Sequence, residues 1–193
     1  MKLLPLYTSC ILRQDALGAG TDITCDDKSC AMYRALSCDV STSVVLTYPR
    51  LLPLHRLGHE TAPALAPLRA SMDKMNDQGV YLLENGVHML IWVGSQAPAE
   101  FVRDVFGTPS PQQIDTRVCS LPQLDNPTNA AVRKVLDDAV RERRRAMRLE
   151  IVHQYDKREA LFRRQLIEDA GLDGAAGYLQ LLMETHKRVQ GML

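Results

Sequence analysis

The chain has 193 residues, of which 46% are hydrophobic and 24% charged, and its formal net charge at neutral pH is zero. This length and balance are typical of one soluble domain, or two small ones, with a proper buried core. The neutral balance excludes a strong overall attraction to nucleic acid or to an acidic membrane surface.

The amino-terminal segment is predicted to be helical. Its three predicted helices cover residues 3–17, about 26–37 and 41–47. The first has Pro5 in its first turn and is expected to end at Gly18 and Gly20. Asp26 or Asp27 is expected to cap the second.

The first residues resemble a signal sequence only superficially, because their apolar stretch contains Pro5 and ends at Arg13. No small-x-small cleavage site follows. No run in the chain approaches the roughly 20 apolar residues that span a bilayer. We therefore expect neither a cleaved signal nor a membrane span.

The cysteines indicate reduced cytosolic thiols. Their number is odd, their spacing is irregular and no Cys-x-x-Cys pair occurs, so neither a disulfide framework nor a zinc site is expected. Cys25, Cys30 and Cys38 are predicted to be small buried hydrophobic groups. The five are Cys10, Cys25, Cys30, Cys38 and Cys119.

The clearest local geometry lies in residues 79–94, which contain the single tryptophan. Two apolar runs, 80–83 and 87–93, flank Asn85-Gly86. Because Asn-Gly tolerates positive φ at both central positions of a tight turn, this pattern predicts an antiparallel hairpin. The alternative is a buried helix, which would place Gly86 in its middle at a cost of about 1 kcal/mol relative to Ala.

The segments around the hairpin predict an α+β arrangement. The proline-rich stretch 48–55 is expected to enter an edge strand, and 57–72 to form a mobile loop. Further strands are predicted at 116–121 and 149–153. Further helices are predicted after Pro98, after Asn126-Pro127, over 156–169 and over 174–190. The result is a sheet domain bracketed by helical segments.

Apolar residues at helical spacing predict which faces of the later helices are buried. For the helix after Asn126 these are Val132, Val135, Leu136, Ala139 and Val140. For 156–169 they are Leu161, Phe162, Leu166 and Ile167. For 174–190 they are Ala175, Tyr178, Leu179, Leu182, His186 and Val189.

Five arginines lie on the far face and at the end of the helix that starts after Asn126. We expect them to be solvated and to complement the helix dipole. The alternative is an anionic partner, either a lipid headgroup or a protein. RNA is not expected, because no aromatic residues interleave with the arginines to stack on bases. The five are Arg141, Arg143, Arg144, Arg145 and Arg148.

Motifs for catalysis or metal binding are not recognisable. The sequence contains no Gly-x-Gly-x-x-Gly, no phosphate-binding Gly-Lys-Ser/Thr loop and no His-Glu-x-x-His. Glu168-Asp169 is predicted to end a helix, where adjacent side chains diverge and need not form a carboxylate dyad. His88 and His186 are predicted to be hydrogen-bonded structural residues. We therefore predict no enzyme activity, no catalytic, cofactor-binding or metal-binding residues, and no cofactor.

Several segments occur in an order that is typical of one protein family. They are LPLYTSCILRQDAL at 4–17, YPRLLPLHRL at 48–57, GVYLLENGVHMLIWVG at 79–94, FVRDVFG at 101–107, LPQLDNP at 121–127, and LIEDA followed by YLQLLMETHKRVQ at 166–190. Together they resemble the C-terminal part of the cargo-adaptor subunit of the COPII vesicle coat, the Sec twenty-four type. The sister subunit, the Sec twenty-three type, shares the gelsolin-like architecture, but the last segments are closer to the cargo adaptor.

The resemblance implies a gelsolin-like mixed sheet over 48–155, a partial helical domain over 1–47, and C-terminal helices over 156–193 that pack back on the helical segment. It also implies a cytosolic coat protein, peripheral on the endoplasmic reticulum membrane and COPII vesicles, that selects cargo for transport to the Golgi. Its expected partners are the sister subunit and cargo or SNARE proteins. The family's zinc finger, trunk domain and β-sandwich have no counterpart here, so no binding residues are carried over.

Two other hypotheses remain open. A free-standing gelsolin-type module would bind actin or calcium, with Asp137, Asp138 and Glu142 as possible oxygen donors. Peripheral membrane association through Arg141–Arg148 would be salt-sensitive and lost on substitution by Gln. If the helices at 3–17 and 26–37 belong to a larger helical domain, we also expect them to expose apolar surface and to promote aggregation of the isolated chain.

Overall fold

The computed structural model describes residues 3–17, 23–57, 65–171 and 174–192. These ranges contain seven α-helices and four β-strands. In chain order they are α1 Leu4–Leu12, α2 Cys25–Ser37, α3 Val40–Thr47, β1 Arg50–Pro53, β2 Val80–Glu84, β3 His88–Val93, α4 Ala99–Phe106, α5 Pro127–Arg143, β4 Arg148–His153, α6 Glu159–Arg164 and α7 Tyr178–Gln190.

The four strands form one mixed sheet in the order β1-β2-β3-β4. β1 and β2 pair antiparallel, as do β2 and β3, whereas β3 and β4 are parallel. The parallel pair needs a crossover connection, and the chain supplies α4 and α5 between β3 and β4. The predicted α+β class, hairpin and edge strand are confirmed.

The hairpin turn differs in detail from its prediction. Gly86 has a φ of 79°, but Asn85 does not have a positive φ. The Asn85 N–H donates to the His88 carbonyl at 3.3 Å, so Gly86 and Val87 are the central residues. The Asn85 side chain instead accepts hydrogen bonds from the backbone N–H groups of Val87 and His88, at 2.9 and 2.8 Å. Glycine at the first central position matches a hairpin turn that needs positive φ there.

Each face of the sheet has its own apolar core. On one face, α4 and α5 cover the strands with fully buried residues such as Val102, Val105 and Val132. On the other face, Trp92 packs against Phe162 of α6. The indole N–H of Trp92 donates to the buried Glu159 carboxylate at 3.1 Å, which satisfies its polar atom inside the core.

The predictions of where α5 begins and which of its faces is buried are confirmed. The Asn126 side chain accepts a hydrogen bond from the Asn129 N–H at 2.7 Å, and Pro127 is the first helical residue. The helix is therefore capped as its sequence predicts. The predicted inner residues are buried or half-buried.

The strand predicted at 116–121 is wrong. The Asp115 carboxylate accepts hydrogen bonds from the Arg117 backbone N–H at 2.9 Å and from its guanidinium at 3.0 Å. This local turn competes with extended pairing. Val118 is consequently exposed.

The last two helices are shorter than predicted. In 156–169 only six residues form α6, and Phe162 and Leu166 are buried whereas Leu161 is exposed and Ile167 half-buried. Beyond α6 the Glu168 N–H donates to the Ala70 carbonyl at 3.2 Å, so the chain is held by the 68–72 segment instead of continuing as a helix.

α7 begins at Tyr178 and has no buried residue, so its predicted buried stripe is wrong. Leu179 and Val189 of that stripe are exposed. α7 packs against α1, and one such contact leaves most of a helix surface in solvent.

The amino-terminal helices are confirmed with corrected ends. α1 stops at Leu12, and Gly18 and Gly20 lie outside the described residues. The cap of α2 is Thr24, whose hydroxyl accepts from the Asp27 N–H at 3.1 Å. In the predicted loop 57–72, residues 58–64 lie outside the described ranges, and its mobility stays a prediction.

Candidate interaction surfaces

A buried ion-pair network fastens the hairpin to the end of α5. Glu84, the last residue of β2, is fully buried. Arg143 is also buried and donates from Nε and Nη2 to the two carboxylate oxygens of Glu84, at 2.6 and 3.3 Å. Arg50 donates a third bond from Nε at 3.0 Å. A buried carboxylate needs such partners to stay charged in an apolar environment.

The same network reaches α3 and β1. Arg143 donates from Nη1 to the carbonyl and the hydroxyl of Ser41, both at 3.1 Å. Glu142 accepts from Arg143 at 3.0 Å and from Arg50 at 3.1 Å. Burial alone would lower the pKa of Arg143, but its bonds to Glu84 and the charges of Glu84 and Glu142 raise that pKa above its usual value. The guanidinium therefore stays charged.

The predicted solvation of Arg143 is wrong, because its side chain is only 3% exposed. Residue 143 lies four positions after the buried Ala139 and so continues the inward stripe of α5. Sequence reasoning missed Glu84 and Arg143 as a pair, since they lie 59 residues apart. The available signal was a charged residue at an inward position of each element.

The remaining arginines form a surface that we call the arginine patch. His88 of β3 is paired with Arg148 of β4, and the Ser41 hydroxyl donates to the Glu142 carbonyl at 3.3 Å. These contacts place the start of α3, the end of α5 and the start of β4 at the hairpin end of the sheet. The patch comprises Arg141, Arg144, Arg145 and Arg148.

Most of the patch charge is not neutralised locally. Arg148 pairs with Glu150 at 3.4 Å. The other three arginines make no ion pair with any described residue. Glu142, the nearest carboxylate in sequence to Arg141, is already bound to Arg50 and Arg143. The patch can therefore accept an anionic group.

An exposed apolar side chain lies close to the end of α5. Val40, the first residue of α3, is 81% exposed. It precedes Ser41, whose hydroxyl donates to the Glu142 carbonyl at 3.3 Å.

A polar joint connects the chain after α6 to the sheet region. Glu168 accepts hydrogen bonds from the Tyr48 hydroxyl and from the Arg69 guanidinium. Asp169 accepts from the Ser71 hydroxyl at 2.6 Å and from the following backbone N–H at 2.8 Å. The two carboxylates therefore bind different partners, and they follow α6 instead of ending a longer helix.

α1 docks on the same joint. Arg13 donates to the carbonyls of Ile167 and Asp169. Cys10 is fully buried, and burial, followed by the charge of Glu168, raises its thiol pKa to about 11. Burial and the bond to Glu168 likewise raise the pKa of Tyr48.

The residues considered for chemistry lie mainly on the surface. All five cysteines are free. Cys25 and Cys30 are exposed and Cys38 is half-buried, so their prediction as buried hydrophobic groups is wrong, because α2 buries no residue. His88 and His186 are also exposed, which does not match the structural role predicted for them.

The proposed calcium donors gain no support from their surroundings. Glu142 is engaged by two arginines, and Asp137 and Asp138 are exposed on α5. Within the described ranges, no group of three or more His, Cys, Asp or Glu side chains is placed to hold a metal ion. None of the described helices is long and apolar enough to cross a membrane.

The predicted exposure of apolar residues on the amino-terminal helices is confirmed, whereas aggregation stays a prediction. The exposed large side chains of α1, α2 and α3 are Leu4, Tyr7, Ile11, Leu12, Met32, Tyr33, Leu36, Val40 and Val44.

Comparison with known proteins gives a consistent match. The Gelsolin repeat family model matches residues 61–136. The human protein transport proteins Sec24C and Sec24D are 38% and 33% identical over all of this chain, and SEC24 B of Arabidopsis thaliana is 27% identical. The matches cover 18%, 19% and 18% of those proteins, so the chain spans about a fifth of the length of these relatives.

A solved structure agrees with the sequence match. The crystal structure of the human COPII-coat protein Sec24c superposes on the whole chain with a TM-score of 0.89 and 40% identity, covering 25% of that protein. At this identity the match extends beyond fold class to the sequence itself.

Proposed function

This chain belongs to the family of the COPII-coat proteins Sec24C and Sec24D, and we propose that it is a non-catalytic part of a coat cargo-adaptor subunit. In that role it acts in cargo selection and vesicle formation for transport from the endoplasmic reticulum to the Golgi. The observation that carries the proposal is the agreement of sequence and structure with Sec24c over the entire chain.

The proposed organisation follows the family. Residues 1–47 would form part of a helical domain, 48–155 a gelsolin-like domain, and 156–193 C-terminal helices that pack back on the helical segment. The contact of α7 with α1 supports the last assignment. The chain would correspond to the C-terminal part of the adaptor.

The proposed partners are the sister coat subunit of the Sec twenty-three type and cargo or SNARE proteins, at the cytoplasmic face of the endoplasmic reticulum and on COPII vesicles. The exposed apolar helices support an assembly role, because they offer contact area without a catalytic group. Peripheral contact with an anionic membrane belongs to the same proposal.

A chimera tests the proposal. The matching stretch of human Sec24C is replaced by this chain, and the chimera is assayed for co-purification with the sister subunit and for budding of cargo-loaded vesicles in a reconstituted reaction. We expect both activities to be retained. A chimera that is folded and soluble but supports neither would contradict the proposal. The same chimera with Arg143→Ala, which breaks the buried network, is the negative control.

The Gelsolin repeat match favours a second candidate, a module that binds actin or calcium. It predicts co-sedimentation of the chain with actin filaments and a rise in melting temperature on adding calcium. Neither result is expected for a coat subunit. Parallel pulldowns with the sister subunit, actin filaments and liposomes distinguish the two candidates.

A further inference from the structure

We propose that the loop between α4 and α5 is a modification site, in which Ser110 is phosphorylated by a proline-directed serine/threonine kinase with ATP as the phosphoryl donor. The proposal concerns a loop that the function proposed above does not use, and it does not depend on the coat assignment.

The sequence of the loop indicates the class of kinase. The loop contains the only two Ser/Thr-Pro dipeptides of the whole sequence, and they are consecutive: Thr108-Pro109 and Ser110-Pro111. Residues 105–114 contain no charged residue. Kinases that select arginine before the serine, or carboxylates after it, therefore find no charged contact close by. Proline is the distinctive feature next to each hydroxyl.

Proline is selected because of what it lacks. Its nitrogen carries no hydrogen, so a substrate cleft without an acceptor at the position after the serine favours proline, since any other residue would bury an unpaired N–H there. Proline also directs the residue before it to extended geometry. Ser110 has that geometry, with a φ of −147° and a ψ of 153°, as in an extended peptide bound to a protein.

The hydroxyl of Ser110 is better placed to accept the phosphoryl group than that of Thr108. It makes no hydrogen bond to the short 3-10 turn Pro111–Gln113 that follows it, whereas the Thr108 hydroxyl donates to the Ser110 carbonyl at 3.5 Å. In the transfer, the Ser110 oxygen bonds to the γ-phosphorus of ATP, the bond from that phosphorus to the bridging oxygen breaks, and ADP leaves. The hydroxyl proton passes to the carboxylate base of the kinase.

The loop is held firmly at its two ends and weakly between them. Phe106 and Ile114 are buried, and the residues between them are exposed or half-buried. The hydrogen bonds that the Gln113 and Ile114 N–H groups donate within the loop are long, at 3.2 and 3.3 Å. The bond from the Gln112 side chain to the Ser95 carbonyl is also 3.3 Å long. Local opening of such a segment requires little free energy, so a kinase can extend it without unfolding the sheet region.

Phosphorylation would change the charge of one face of the molecule. Ile114, at the end of the loop, belongs to the core under α4 and α5. A phosphate on Ser110 would add a charge of about −2 beside that face, in a stretch that has no charge of its own. We therefore expect the modification to act on contacts made by the α4–α5 face and not on the polar joint around Glu168.

A kinase assay on the full 193-residue chain tests the proposal. The chain and a synthetic peptide of residues 104–117 are incubated in parallel with magnesium ATP and a recombinant mitogen-activated protein kinase, and tandem mass spectrometry locates the phosphate. We expect Ser110 to be the main site, modified in the folded chain at no less than about one tenth of its rate in the peptide. A kinase that requires arginine before its serine is the control and should leave Ser110 unmodified.

Variants separate the hydroxyl from the directing proline. Ser110→Ala should abolish modification at this position, and Ser110→Thr should retain it. Pro111→Ala should slow modification at least about tenfold although the hydroxyl remains. Ser120→Ala, at an exposed serine that no proline follows, is the matched control and should leave the rate unchanged. Circular dichroism confirms that each variant is folded, and if Pro111→Ala unfolds the chain, the same substitution in the peptide decides.

Three results would overturn the proposal. Modification of the peptide but not of the folded chain would show that the fold closes the loop to a kinase. An unchanged rate with Pro111→Ala, or equal labelling of Ser110 by the arginine-dependent kinase, would show that proline does not direct the reaction. Absence of modification from both the chain and the peptide would show that the loop is not a kinase substrate.

Discussion

The sheet region and the flanking helices bury their apolar residues to very different extents. All five residues of β2 are buried, whereas α2 and α7 have no buried residue although each is thirteen residues long. The sheet region covers both of its faces with its own helices. Of the flanking helices, α1 and α7 are attached through polar contacts around Glu168, and α3 is attached through Ser41 to Arg143. These helices and α2 leave aliphatic surface in water.

The two regions are stabilised by different kinds of interaction. Burial of apolar area stabilises the sheet region, at roughly 25 cal/mol per Å² removed from water. The outer helices gain little from this term and depend on caps and on the joint. Loss of the outer helices should therefore destabilise the sheet region less than loss of the sheet region destabilises the outer helices. Contact with a partner should stabilise mainly the outer helices.

The largest expected effect is the loss of Arg143. Arg143→Ala removes two of the three charged hydrogen bonds to the fully buried Glu84. We expect the free energy of unfolding to fall by about 3 to 5 kcal/mol, measured by urea denaturation. Arg145→Ala, two residues along on the surface, is the control and should change it by less than about 0.5 kcal/mol. Equal effects would mean that the network does not stabilise the sheet region.

The next largest loss of stability is expected at Gly94, whose backbone lies very close to that of Asp77. A Cβ at Gly94 would clash with the backbone carbonyl of Asp77, which cannot move aside easily. Gly94→Ala should lower the free energy of unfolding by about 2 to 3 kcal/mol. Gly191→Ala, where a Cβ would be 3.5 Å from the nearest atom, is the matched control. Wild-type stability of the Gly94 variant would show that the end of β3 is loosely packed.

A substitution in the polar joint around Glu168 should act mainly on the residues that contact it. Glu168→Gln removes the charge that binds Tyr48 and Arg69, and we expect a loss of about 1 to 2 kcal/mol. Because α1 docks there, Cys10 should become accessible, and its reaction with a thiol reagent at pH 8 should speed up about tenfold. In the unaltered chain this thiol, with a pKa of about 11, should react far more slowly than the exposed Cys25 and Cys30. Equal rates for all three would contradict the docking of α1.

The smallest effect on stability is expected in α2. Leu36→Ser should change the free energy of unfolding by less than about 0.5 kcal/mol, because the side chain is 85% exposed. The same substitution should reduce binding of a hydrophobic dye to the chain. A large loss of stability would show that Leu36 packs against the chain in solution.

The elements with strong local signals could be predicted from the sequence. The hairpin and the cap of α5 at Asn126 each depend on a few adjacent residues. The strand predicted at 116–121 failed because of a local turn between Asp115 and Arg117, whereas the end of α6 is decided by distant contacts. The chain after α6 leaves the helix because Glu168 binds Ala70 and Tyr48, and no local pattern announces this.

The candidate surface was predicted only in part. The arginine cluster was visible as a run of one residue type, but the inward direction of Arg143 depends on Glu84. The predicted third helix began at Ser41, and the position of α3 beside the end of α5 follows from the contact of Ser41 with Glu142.

Hydrogen exchange of the intact chain, followed by mass spectrometry of its peptides, tests the contrast between the two regions most directly. We expect the amides of β2, β3 and α5 to exchange at least about a hundredfold more slowly than those of α2 and α7. Protection of α2 and α7 equal to that of β2 and β3 would contradict the account, because the outer helices would then belong to one cooperative unit with the sheet.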